Sequence, residues 1–142
     1  MKRLSTMHET ISFKTKGNCD IIDITHLVED VVDKSRMSTG ICTVFCKGST
    51  GSVTTIEYED GLIQDFPRTM ERIAPQNDEY AHNLKWGDGN GHSHVRASLV
   101  GPSLTIPFVN KKLTLGTWQQ VVFVDYDNRP RDRNLEIVII GE

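Results

Sequence analysis

Hydrophobic positions along this 142-residue chain switch between two spacings, and the switches mark out its elements. Thr10 to Phe13 and Cys19 to Ile24 are rich in β-branched and aromatic residues and flank Lys14-Thr15-Lys16-Gly17-Asn18, which predicts two strands joined as a hairpin. From Thr25 the period lengthens. Leu27, Val28, Val31 and Val32 recur at helical spacing with Glu29, Asp30, Asp33 and Lys34 opposite, predicting an amphipathic helix that ends near Ser35. Gly40 to Phe45 and Ser52 to Glu57 read as strands separated by Lys47-Gly48-Ser49-Thr50-Gly51. Leu62, Ile63, Phe66, Met70 and Ile73 return to the helical period, with Pro67 expected to kink or divide the helix and Ala74-Pro75 to end it.

The remainder reads as strands at short spacing: Val95 to Val100, Ser103 to Phe108, Lys112 to Leu115, Trp118 to Tyr126 and Leu135 to Ile140. Crossover helices are too few for a doubly wound parallel sheet. The pattern predicts an α+β fold with a mainly antiparallel sheet and two or three helices in a single domain over 1–142.

Apolar residues make up 37% and charged residues 25% of the chain, and no apolar run approaches the roughly 20 residues of a membrane span. A net charge of −3 argues against a general nucleic-acid binder, whose affinity comes from phosphate contacts. The first residues lack the apolar stretch of a secretory signal, so a cytoplasmic location is expected. Cys19, Cys42 and Cys46 form no CxxC pair. Cys42 and Cys46 would lie about 13 Å apart along one strand face, too far to bridge, and are expected as buried apolar residues.

Chemistry concentrates in Tyr80 to His94, where three of the five histidines bracket a glycine-rich turn. If a strand begins at residue 92, His92 and His94 share a face, and His82 can fold back as a third ligand. Three neutral imidazoles with an open fourth position suit a catalytic divalent metal, zinc first. Glu57 ends an apolar-threonine strand and is a candidate general base. Glu59 is set aside, and Asp60 reads as a helix N-cap. Lys47-Gly48-Ser49-Thr50-Gly51 can present hydroxyls and backbone N–H groups to an anion, without being a P-loop, or can be a plain hairpin loop. Arg129, Arg131 and Arg133 offer guanidinium forks for phosphate, unless the interleaved acids pair them off. Trp118 is expected in the core. Gln119 is singled out because a polar residue entering Val121-Val122-Phe123-Val124 needs a partner. Asp88, in a Gly-Asp-Gly turn, is read as a loop residue.

Taken together, Thr43-Val44-Phe45, Val53-Thr54 with Glu57, Asp65, Tyr80 with His82, Gly89-Asn90 with His94, Leu99-Val100-Gly101-Pro102-Ser103, Leu115-Gly116-Thr117-Trp118-Gln119 and Pro130-Arg131 with Arg133 resemble the YjbQ family, small proteins named secondary thiamine-phosphate synthase enzymes. The resemblance spans nearly the whole chain. It implies an α+β homotrimer with a polar, histidine-containing pocket near the subunit boundaries. It also matches His82 and His94 to recurrent histidines, Asn90 to a Gly-Asn pair, Glu57 to a strand-end glutamate, and Arg131 with Arg133 to a basic turn. Two departures stand out: Gly48-Ser49-Thr50 where many members have His-Thr-Thr, and His92 where many carry an acid. The activity implied joins a pyrimidine diphosphate to a thiazole phosphate, giving thiamine phosphate and pyrophosphate.

The resulting expectation is a small cytosolic enzyme acting on a phosphorylated small molecule. His82, His92 and His94 would hold the metal, Ser49, Thr50, Arg131 and Arg133 the phosphate, and Glu57, Asn90 and Gln119 would act in catalysis. Two alternatives stand beside it: a metal-dependent hydrolase with Glu57 as base, and a non-catalytic trimer that binds a metabolite.

Overall fold

The computed structural model describes residues 3–142. Its elements run β1 (Ser5–Thr15), β2 (Asp20–Asp23), α1 (Thr25–Ser35), β3 (Gly40–Cys46), β4 (Gly51–Ile56), α2 (Asp60–Ile73), α3 (Ala81–Trp86), α4 (Gly91–Val100), β5 (Ser103–Val109), β6 (Lys112–Leu113), β7 (Gln120–Asp125) and β8 (Arg131–Gly141). All strand pairs are antiparallel, in a five-stranded sheet ordered β1-β8-β3-β5-β6 and a three-stranded sheet ordered β2-β7-β4. This is the expected α+β fold.

The core lies between the two sheets. Val28, Val31 and Val32 of α1 pack there with Cys42 and Val44 of β3, Val121 and Phe123 of β7, and Leu135, Ile137 and Ile139 of β8. A second cluster covers the far side of the small sheet, where Met70 of α2 and Ala97 of α4 meet Val122, Val124 and Tyr126. Strand β7 is therefore buried on both faces, which explains its unbroken Val121-Val122-Phe123-Val124 run in an antiparallel sheet. The cysteines are buried free thiols, as expected.

Several elements differ from the sequence expectation. The first two strands do not pair with each other: β1 joins β8 and β2 joins β7. Gly17, Asn18 and Cys19 all have positive φ and turn the chain from one sheet into the other. At Gly17 a Cβ would sit 2.5 Å from the Arg129 carbonyl oxygen, so close backbone approach requires glycine. Helix α2 runs without a break through Pro67. Its N-cap is Glu59, whose carboxylate accepts from the Gly61 and Leu62 N–H groups, so the discounted glutamate takes the role given to Asp60.

The largest correction is Val95 to Val100, expected as a strand and found in α4. Arg96 and Ala97 face inward, while Val95 and Leu99 are exposed, so a β-branched run misled where burial follows the helical period. Trp118 is 71% exposed in the turn before β7 and is not a core residue.

Candidate functional site

The ladder between β4 and β7 divides the expected site residues. Gly51 pairs with Asp125 at one end and Ile56 with Gln120 at the other, a span of about 17 Å. Glu57 and Gln119 lie at the Gln120 end. Glu57 is exposed, and the Gln119 amide oxygen accepts from the Gly116 N–H in a local turn. Thr50, the histidines and the arginines gather at the Asp125 end. Within one chain, then, Glu57 cannot serve as base at the histidines, which corrects that expectation.

At the Asp125 end, β7 runs into Tyr126-Asp127-Asn128. The Ser93 hydroxyl at the start of α4 donates to the Tyr126 carbonyl, and the Asn128 amide donates 2.9 Å to the Asp88 carbonyl. These bonds set α4 and the 87–90 turn against the strand end. Placing His92 and His94 on a helix separates them, because two residues advance about 200° around its axis. His92 turns inward, 1% exposed, with its ring 6.4 Å from that of Tyr80. His94 turns toward α3, where its ring lies 4.4 Å from the His82 ring at 40°. The same-face expectation for His92 and His94 is thereby overturned, since it depended on a strand.

His82 and His94 instead form a half-buried pair beside Asp88. Nδ1 of His82 is 3.4 Å from Asp88 Oδ1 and has no hydrogen-bond partner among the described residues. With its amide nitrogen turned toward Asp88, Asn90 donates to both carboxylate oxygens at 2.8 and 3.1 Å. In that orientation Asn90 holds the carboxylate beside His82. Burial, reinforced by the neighbouring His82, lowers the pKa of His94 despite the opposing charges of Asp88 and Asp127. Near neutral pH His94 presents one N–H donor and one free lone pair.

The arginines are engaged from within. Asp125, fully buried, accepts from Nε and Nη2 of Arg133 at 2.7 and 2.8 Å, from the Thr15 hydroxyl at 2.6 Å and from the Asp127 N–H at 3.0 Å. Asp127 accepts from the Thr50 hydroxyl and from Nε of Arg131, whose Nη2 forms an ion pair with the same oxygen at 2.8 Å. Burial alone would raise the Asp127 pKa, but the Asn128 N–H, Thr50 and Arg131 outweigh it and hold the carboxyl below its ordinary value. Two buried carboxylates thus match Arg131 and Arg133, and Thr50 is spent on the same network. Ser49 alone of the proposed phosphate contacts stays exposed, beside a recess of about 150 Å³.

Three histidines do not fit a tetrahedral metal here. Among the described residues no group of three or more His, Cys, Asp or Glu side chains is placed to hold a metal ion. His92 is instead a neutral interior residue, its pKa lowered first by burial and next by Arg96. Its Nδ1 has no partner among the described residues. The unfolded chain therefore binds this proton more readily than the folded one, and stability falls as pH drops below the ordinary value of 6.5. Urea denaturation between pH 7.5 and 5.5 is expected to show this loss, with a slope reduced by up to about 1.4 kcal/mol per pH unit in His92→Gln. An unchanged slope would mean that His92 is not held neutral.

Comparison with known proteins places this arrangement. The family model described as UPF0047 protein YjbQ-like matches residues 9–142. A UPF0047 protein of Methanothermobacter thermautotrophicus is 34% identical over 134 residues, 94% of this chain and 92% of that protein. The UPF0047 protein YugU of Bacillus subtilis is 30% identical over 136 residues, covering 95% of this chain and all of YugU. The crystal structure of a YbjQ-like protein of unknown function from Sulfolobus solfataricus superposes with a TM-score of 0.93 at 31% identity, covering 99% of this chain and 100% of that one. These names carry a family and no activity. No helix among the described residues is long and apolar enough to cross a membrane.

Proposed function

The chain belongs to the YjbQ-like UPF0047 family, and from that premise we propose that it is an enzyme acting on a phosphorylated small molecule, with His94 as its acid–base group. The observation that carries this reading is the His82–His94 pair stacked beside the Asn90-anchored Asp88. A neutral His94 takes a proton from a water or hydroxyl nucleophile, and the Asp88 charge stabilises the imidazolium that forms. In the thiamine-phosphate reaction that the resemblance implies, the thiazole nitrogen bonds to the pyrimidine methylene as its bond to the pyrophosphate oxygen breaks. There the imidazole N–H donates a hydrogen bond to the departing oxygen.

Product analysis with a pyrimidine diphosphate plus thiazole phosphate, and separately with simple phosphate esters, tests both forms. Thiamine phosphate with pyrophosphate supports transfer, and free phosphate supports hydrolysis. Turnover of neither class sinks the reading in favour of a metabolite-binding protein. Elemental analysis addresses the expected zinc. A stoichiometric divalent metal lost in His94→Ala would make the imidazoles ligands and not proton carriers.

The proposal extends to assembly. On the outer face of the large sheet Ile41 lies beside Ile140, and Val138 beside Thr43, with Phe45 further along the same face. All four apolar side chains are 37 to 43% exposed. Association of copies of this chain into a trimer would cover them. Native mass spectrometry is expected to give a trimer for the wild type and smaller species for a Phe45→Glu, Ile140→Glu variant. A monomeric wild type would refute the assembly.

A further inference from the structure

A basic cleft lies outside the histidine site, where the turn after β1 meets the turn between β7 and β8. It has a volume of about 410 Å³ and is lined by Lys14, Thr15, Arg129, Pro130, Arg131 and Asp132. The chain as a whole carries −3, yet three cationic residues line this cleft against one acid. Neither Lys14 nor Arg129 makes an ion pair or a side-chain hydrogen bond among the described residues. Lys14 stands directly across the β1–β8 ladder from Asp132 without forming an ion pair with it.

The walls are held in place. Thr15 is buried, donates to Asp125, and accepts from the Arg131 N–H at 3.3 Å. The Arg131 guanidinium is anchored to Asp127 through Nε and Nη2, and its Nη1 has no partner among the described residues. Gly17 packs against the Asp127 and Arg129 carbonyls and fixes the path of the turn, which Pro130 stiffens between the two arginines. A second recess of about 250 Å³ shares Lys14 and Asp132 and is lined by Ser12 and Phe13.

We propose that this cleft, built from Lys14, Arg129 and the free edge of Arg131, binds the phosphate or pyrophosphate group of a small molecule whose uncharged body lies over Phe13. A phosphate dianion suits it better than a single carboxylate, because several unspent donors converge and a guanidinium already fixed by Asp127 loses little freedom on binding. The cleft also replaces Arg133 and Thr50 as the seat of phosphate recognition, since Thr50 is buried on Asp127 and Arg133, bound to Asp125, is only 11% exposed in its side chain against 31% for Arg131. The proposal rests on the enzymatic reading above for its place in a reaction, but not for the binding itself.

Calorimetric titration of the full chain with inorganic pyrophosphate tests it. Lys14→Gln combined with Arg129→Gln is expected to weaken binding about tenfold or more, and Asp132→Asn to tighten it about threefold. Lys112→Gln at the opposite edge of the large sheet should leave it unchanged. These side chains are exposed, so folding is preserved. Equal affinity in the wild type and the double variant would overturn the proposal, as would equal losses in the double variant and Lys112→Gln. His94→Ala separates this proposal from the acid–base reading. If His94→Ala keeps turnover while the double variant loses pyrophosphate, the acid–base role falls and the cleft stands. If His94→Ala loses turnover while the double variant binds normally, the cleft falls and the acid–base role stands.

Discussion

Asp125→Ala is expected to be the most destabilising single substitution at the candidate site, by about 3–5 kcal/mol. Its carboxylate is fully buried and accepts four hydrogen bonds, two of them from Arg133, a residue only 11% exposed in its side chain. Removing the acid leaves the Arg133 guanidinium with only Asp127, 4.0 Å away, as counter-charge, and leaves the Thr15 hydroxyl to donate only to the Arg131 carbonyl at 3.2 Å. The loss therefore includes desolvation that is no longer offset, beyond the lost bonds themselves. Urea or thermal denaturation measures it. The double substitution Asp125→Leu, Arg133→Met is expected to be less destabilising than Asp125→Ala, because it removes both buried charges together. A loss under about 1 kcal/mol for the single variant would show that water or rearrangement solvates Arg133, and that the network does not hold the strand end in place.

His94→Ala is expected to lower kcat by about 10² to 10⁴ on whichever phosphorylated substrate proves active, with little change in stability. The small structural effect follows from position. His94 is half-buried and its ring packs on His82, whereas the neighbouring His92 is sealed in the interior. The pH dependence carries the same assignment. With the His94 pKa held below its ordinary value of 6.5, activity that needs the neutral imidazole persists to lower pH than an exposed histidine would allow, and is lost as acid protonates it. Asn90→Ala should lower kcat more than it raises KM, because it frees Asp88 without removing a group that touches substrate. Unchanged turnover in His94→Ala would remove His94 from the chemistry.

The histidine segment shows how far a sequence reaches at such a site. His82, His94 and Asn90 do come together, since all lie within a short stretch that has to fold locally. Where His92 points depends on whether Val95 to Val100 is strand or helix, and composition favours a strand where the chain forms α4. Val95, Leu99 and Val100 are β-formers or apolar, yet burial of Ala97 against the small sheet and of Arg96 against the end of α2, where it donates to the Ala74 carbonyl and to Glu71, decides for a helix. Asp88 reads from sequence as a loop residue. The available signal was its neighbour, because an Asn two positions beyond an Asp can anchor the carboxylate, as Asn90 does.

Pattern alone determined the α+β class, the antiparallel pairing, helices α1 and α2, and the buried free cysteines. Each of these depends on local period and on side-chain chemistry read a few residues at a time. Tertiary structure decided that β1 and β2 enter different sheets and that Glu57 and Gln119 stand at the far end of the β4–β7 ladder from the histidines. It also decided that Arg133 pairs with Asp125. The physical reason is that the pairing of β1, β2 and β4 joins residues more than 60 positions apart, and that the Asp125–Arg133 pair, itself local in sequence, is closed in by Thr15 and Thr50 from segments that distant. Which acid reaches which arginine is settled by how the two sheets stack over Val121 and Phe123.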